Sequence, residues 1–267
     1  ALAFIRRSAD RPFFLYFAPT QPHANNEARE RGMEAPDYGP YAALDWPEPE
    51  KGYAAMVTRL DRDVGRILDL LVELKLEHRT LVIFSSDNGP HKEGGHTPAF
   101  HRSSGPLRGI KRDLYEGGIR VPFIVSWKGV VPAGTVSDAV AWFPDVLPTA
   151  AALAGAPAPR DLDGVNLMPT LRNPASQPRR RTPLYWEFHE GGFKQALRMG
   201  DWKLVSLAPD KPRELYNLRL DPSETNNVAA QHPSTVARLQ ALLDRARIDS
   251  SDWPLKLPPP ASPSALK

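Results

Sequence analysis

Apolar residues recur at three- and four-residue steps through Tyr53, Met56, Val57, Leu60, Val64, Ile67, Leu68, Leu71 and Leu74. One face of a helix repeats at that interval, so the spacing predicts an amphipathic helix of about six turns. Short apolar runs flank it. Residues 13–18 precede it and residues 81–85 follow it. Runs of this length, bounded by Pro, Thr and Ser, predict strands buried on both faces. Strand, long connection, helix and strand is the order of a βαβ unit. The expected class is therefore α/β, with a mostly parallel sheet flanked by helices. "RVPFIVSW" at 120–127 predicts a further strand, and "DVLPTAAALAG" at 145–155 a short helix ended by Gly155.

Two stretches lack any period. Residues 24–52 carry Pro36, Pro40, Pro47 and Pro49, and residues 89–118 are rich in Gly and His. Both predict long loops, which in compact domains are often functional. After about residue 183 the texture changes. "PLYWEF", "QALRMG", "DWKLVSL" and "RELYNL" follow one another closely and predict a small antiparallel sheet. "HPSTVARLQALLDRARI" predicts a helix capped near Ser234 or Thr235. The Pro/Ser-rich end predicts a disordered tail. The expected division is an α/β part over 1–178, a small α+β subdomain over 179–250, and the tail over 251–267.

Composition narrows the function classes. The chain has 267 residues, 41% of them hydrophobic, enough for a sizeable core. Lys and Arg number 34 against 31 Asp and Glu. That near balance gives no footprint for nucleic acid. Arg179, Arg180 and Arg181 form the one basic run and sit among Pro and Ser, as a solvated loop would. There is no Cys, which removes disulfides, thiolate metal sites and a Cys nucleophile within these residues. No apolar stretch approaches the ~18–20 residues of a membrane span.

Candidate chemistry gathers where the apolar runs stop. Ligands of parallel α/β sheets bind beyond the carboxyl ends of the strands. One run leads to His23; another ends in Asp87 and Asn88, followed by Gly89. A carboxylate and an amide carbonyl are hard oxygen donors, suited to Ca²⁺ or Mg²⁺. Asp-Asn-Gly is equally an ordinary turn signal, in which Gly89 lets the backbone turn sharply. "SSGPLRGIKRDLYEGGIRVP" at 103–122 interleaves glycines with Arg108, Lys111, Arg112 and Arg120. Lys111 suits a tetrahedral oxyanion as a point charge and Arg108 as a bidentate fork, while Glu116 is placed to pair with a cation.

Taken together in this order, "PFFLYFAPTQPH", "TLVIFSSDNGP", "GPLRGIKRDLYEGGIRVPFIVSW" and "DVLPTAAALAG" resemble the C-terminal half of a type I sulfatase, in the arylsulfatase group of the alkaline-phosphatase-like superfamily. "ALRMGDWKL" and "ELYNLRLDPSETNNVA" resemble that family's C-terminal subdomain. The resemblance implies that Asp87 and Asn88 are calcium ligands, that His23 contacts the sulfate group, and that Lys111 contacts the sulfate and assists departure of the leaving oxygen. Arg108, Glu116, His91, His96 and His101 have no firm counterpart and stand as candidate pocket or supporting residues.

The same resemblance implies a formylglycine nucleophile, made from Cys or Ser in a C/S-x-P-x-R motif of the N-terminal half. Residues 176–180 spell S-x-P-x-R, yet they follow Asp87 instead of preceding it and lie in a linker. No nucleophile is expected in this chain, and the chain alone is expected to be inactive. The implied activity is hydrolysis of sulfate esters, with sulfated saccharides or small molecules as substrates and Ca²⁺, or Mg²⁺, as cofactor. Periplasmic or secreted proteins are usual in the family. A phosphate or phosphonate monoester hydrolase of the same superfamily, and a non-catalytic fragment, are the alternatives.

Overall fold

The computed structural model describes residues 1–178, 182–252 and 254. The run Arg179–Arg181 and nearly all of the Pro-rich tail lie outside the described residues. The chain divides into two units. Unit 1 comprises residues 1–87, 91–103 and 121–180; unit 2 comprises residues 88–90, 104–120 and 181–267.

Unit 1 is organised by one long helix. Helix α1 spans Leu2–Arg7 and helix α2 spans Glu48–Glu73. α2 starts five residues before the periodic face does. Pro47 stands at its N-cap, another Pro falls in the first turn, and Glu48 and Glu50 lie there too. Proline lacks only a donor that the first turn leaves unpaired anyway, and carboxylates favour the positive end of the helix dipole. The apolar face of α2 buries Leu70 and Leu71 against Ile5 of α1 and Leu76. Nearer its start, Met56 packs with Ala24 and Met33 of the loop.

The predicted strand at 13–18 forms no ladder. Phe13 and Leu15 pack against the Ile5 cluster, whereas Phe14 and Tyr16 are exposed at 69% and 79%. The segment keeps the two-residue alternation of a strand without a partner beside it. The pairing in the middle of the unit also differs from expectation. β1 (Val82–Ser85) and β2 (Phe123–Ser126) pair antiparallel, with Val82 opposite Ser126 and Ser85 opposite Phe123. No parallel pair occurs among the described residues. Apolar runs report burial; they carry no information on strand direction.

The long loops hold short helices: turns of 3₁₀ helix at Asn26–Arg31 and Gly39–Tyr41, then α3 at Pro98–His101 and α4 at Glu116–Ile119. Helix α5 covers Val146–Ala154 and ends as predicted on Gly155, which is left-handed (φ 63°). Helix α6 (Met168–Arg172) follows.

Unit 2 contains the predicted small sheet. β3 (Leu184–Phe188), β4 (Lys194–Met199), β5 (Trp202–Ser206) and β6 (Glu214–Asn217) form an antiparallel meander in chain order. Apolar residues cover both faces of this sheet. One face sets Leu197, Leu204 and Leu215 against Leu239 and Leu243 of helix α7 (Pro233–Ala246). The other sets Ala196, Val205 and Tyr216 against Leu114 and Tyr115. Helix α7 begins after His232 with no side-chain cap, so Ser234 and Thr235 sit inside its first turn and not at its cap.

Candidate functional site

His23 ends the extended segment of unit 1. Its backbone N–H closes a turn onto the Thr20 carbonyl at 2.8 Å, and its Nδ1 lies 2.7 Å from the Ala24 carbonyl. A carbonyl only accepts, so Nδ1 carries the hydrogen and Nε2 faces away from this bond. The ring lines a cleft of about 380 Å³ together with Thr20, Gln21, Asn25, Glu34 and Met56. His91 supports this turn from beneath. It is buried, its Nε2 donates to the Pro22 carbonyl (3.1 Å), and its Nδ1 accepts from the Glu93 backbone (3.1 Å). The two rings stack with centroids 5.8 Å apart. The Glu93 carboxylate lies 3.7 Å from His23 Nε2 and 3.9 Å from His91 Nδ1. His91 thus orients His23, a role its place in a Gly/His-rich loop did not reveal.

Asp87 lies two residues beyond β1 and is exposed. Asn88, next in the chain, is half-buried, and its Nδ2 donates to the Gly89 carbonyl at 2.8 Å. The donor types fit a hard cation, since each residue offers oxygen. Gly89 is needed for close approach and not for a turn. Its φ is not left-handed, but a Cβ there would stand 1.9 Å from the Gly117 carbonyl. Gly89 N–H donates to the Gly118 carbonyl (2.9 Å), and Lys111 N–H donates to the Pro90 carbonyl (2.8 Å). These two bonds hold the segment carrying Asn88 against the loop carrying Lys111, within unit 2.

Arg108 is engaged elsewhere in unit 2. Its guanidinium lies 3.8 Å from the Tyr115 ring centroid and donates to the Tyr216 hydroxyl (3.0 Å) and the Glu224 carbonyl (3.1 Å). Burial and the Glu214 carboxylate push the Tyr115 and Tyr216 hydroxyls well above their ordinary pKa. Glu116 is also internal: buried Lys203 lies 2.9 Å from both Glu116 and Glu224. Of the loop cations expected to pair with Glu116, Arg120 lies 3.9 Å from it, while the closer partner is Lys203 of the small sheet.

His96 and His101 meet in unit 1, around a residue that sequence reasoning missed. His96 Nδ1 lies 2.6 Å and His101 Nε2 3.3 Å from the same oxygen of buried Glu50. The other Glu50 oxygen accepts from Thr97 N–H at 2.9 Å. The His96 ring lies flat on Tyr53, 3.9 Å between centroids. Burial holds the His96 imidazole below its ordinary pKa, against the opposing pull of Glu50. Glu50 lies in the 24–52 stretch whose prolines predict a loop; its seat in the first turn of α2 brings it to the histidines.

Residues 1–156 match the family model described as Sulfatase, and residues 110–249 match one described as N-sulphoglucosamine sulphohydrolase, C-terminal. The chain is 34% identical to human arylsulfatase A over 91% of its own length and 50% of that protein. It is 31% identical to N-acetylgalactosamine-6-O-sulfatase of Bacteroides thetaiotaomicron over 92% of its length and 49% of that enzyme. Among solved structures it is similar to Ps i-CgsB in complex with k-i-k-neocarrahexaose (TM-score 0.77, 29% identity), covering 92% of this chain and 52% of that one. It is also similar to a structure in complex with its substrate D-glucosamine-2-N,6-O-disulfate (TM-score 0.60, 27% identity), covering 73% of this chain and 40% of that one. The chain spans about half the length of the curated relatives it matches.

Proposed function

Because the chain belongs to the sulfatase family, we propose that it supplies part of the active site of an enzyme hydrolysing sulfate esters, with sulfated saccharides as substrates. The carrying observation is the pair of backbone bonds that fixes the Asn88 segment against the Lys111 loop. The saccharide reading draws on relatives whose names or bound molecules are sulfated amino sugars and a carrageenan oligosaccharide.

A sulfate ester is an anion, and breaking its S–O bond puts further negative charge on the leaving oxygen. A cationic Lys111 preplaced where that charge develops lowers the barrier, because its orientation is already set before the reaction begins. With Nδ1 committed to Ala24, Nε2 is the nitrogen by which His23 would contact a sulfate oxygen or exchange a proton in this reading. Asp87 and Asn88 would hold Ca²⁺. Bound there, the ion supplies positive charge that polarises the ester oxygens. The formylglycine nucleophile and the remaining metal ligands belong to sequence other than these 267 residues. Export to the periplasm or outside the cell accompanies this reading, and cell fractionation checks it.

The test is expression together with the coding sequence upstream of Ala1, followed by rates on an aryl sulfate, an aryl phosphate and a panel of mono-sulfated sugars. The expected result is metal-dependent hydrolysis of sulfates, sugars included, and none by the 267-residue chain alone. A preference for phosphate overturns the sulfatase reading. Activity confined to small aryl sulfates overturns the saccharide reading.

A further inference from the structure

We propose that Glu50, His96 and His101 form a binding site for a divalent transition cation such as Zn²⁺, distinct in donor chemistry from the oxygen ligands Asp87 and Asn88. Two imidazoles and one carboxylate are borderline donors. They suit Zn²⁺ or Co²⁺ and do not suit Ca²⁺, which takes oxygen.

The geometry supports the assignment. One ligand atom from each of the three residues falls within 4.8 Å of the others. Four-coordinate Zn²⁺ with bonds of about 2.0–2.1 Å sets neighbouring donors about 3.3 Å apart. The His101 Nε2 to Glu50 carboxylate separation is 3.3 Å already, and the same nitrogen lies 3.3 Å from the Glu50 backbone carbonyl, a bond it would give up to take an ion. The His96 Nδ1 to Glu50 separation is 2.6 Å, so an ion would take the place of the proton shared there while the side chains open slightly. Three protein donors leave the fourth position for water or a ligand group.

The surroundings are organised as a metal site requires. Thr97 N–H holds the second Glu50 oxygen and fixes the carboxylate plane. Tyr53 fixes the His96 ring by stacking, and Trp46 and Phe100 pack edge-on against His101. Such outer contacts set ligand orientation and strengthen binding. The proposed ligand atom of His96 is Nδ1; its other ring nitrogen, Nε2, is buried with no hydrogen-bond partner among the described residues. Because Glu50 sits at the start of α2, while His96 precedes α3 and His101 ends it, a bound ion would tie this loop to the helix.

The decisive experiment uses the 267-residue chain, freed of metal and titrated with Zn²⁺ or Co²⁺ alone. The expected results are one saturable equivalent, the visible bands of four-coordinate Co²⁺, and no displacement by excess Ca²⁺. His101→Phe, which preserves the aromatic packing, and Glu50→Gln, which preserves the shape, should each weaken binding at least tenfold. Circular dichroism reports whether each variant folds; if neither does, the Co²⁺ spectrum of the unaltered chain decides. Absence of saturable binding, octahedral-type spectra, or folded variants with unaltered affinity would overturn the assignment.

Discussion

A charged cluster is buried in each unit, and the two differ in the side chains they gather. In unit 2, Lys203 lies 2.9 Å from each of two carboxylates, and Glu224 also accepts from the Glu116 backbone at 2.5 Å. In unit 1, Glu50 faces two imidazoles, and one imidazole nitrogen is left buried without a partner. A cluster whose charges answer one another is a structural fastener. A cluster built from two imidazoles and one carboxylate has the composition of a site for a borderline cation. Each cluster leaves one buried polar atom without a hydrogen bond, Glu224 Oε1 in unit 2 and His96 Nε2 in unit 1, so burial and satisfaction do not tell the two apart; the side-chain types do.

The comparison is broken most severely by Lys203→Ala. Two buried carboxylates would lose their cation, and unfolding free energy should fall by about 3–5 kcal/mol in denaturant titration. A loss near zero would mean that water already compensates the cluster. Glu50→Gln, in metal-free protein, should destabilise less, by about 2 kcal/mol, because it weakens hydrogen bonds to one charged group and strands no ion. A larger loss than that of Lys203→Ala would reverse the contrast.

A smaller effect concerns pH. Burial raises the Glu224 pKa above its ordinary 4.5, outweighing the pull of Lys203 in the other direction. The folded state therefore holds a proton that the unfolded state releases. The associated stability is complete below about 4.5 and is lost as pH rises through the folded value. The Glu224 contribution, read as the difference in stability between the unaltered chain and Glu224→Gln, should decline as pH rises across that window. The smallest effect belongs to Arg6→Ala. Its bidentate pair with Glu73 lies in solvent, so thermal melts of the variant and the unaltered chain should superimpose.

Much of this organisation was legible in the chain. The three-four spacing from Tyr53 to Leu74 found α2, because a helix displays its buried stripe directly. The closely spaced segments after residue 183 found the antiparallel sheet, and the predicted glycine closed α5. The start of α2 was obscured because prolines near 47–49 look like loop punctuation, although a first turn tolerates them. Strand direction was beyond reach, since β1 and β2 carry the same apolar signature in either orientation. At 13–18 the alternation was real, but a partner strand is not a property of the segment itself. The candidate site divides in the same way. The ends of apolar runs drew attention to His23, Asp87 and Asn88. Arg108 looked like an anion ligand on charge alone, while its tyrosine partners stood 7 and 108 positions along the chain. Glu50 went unnoticed because its histidines lie 46 and 51 residues away.

The central claim is that the Lys111 loop works on a sulfate ester. The most direct measurement is aryl-sulfate turnover by protein expressed with the coding sequence upstream of Ala1, with and without Lys111→Ala. Loss of one preplaced charge-stabilising group predicts a fall in kcat of about 10²–10³, with the melting temperature unaltered. Turnover equal to that of the unaltered protein would contradict the account, and with it the assignment of Lys111 to the reacting group.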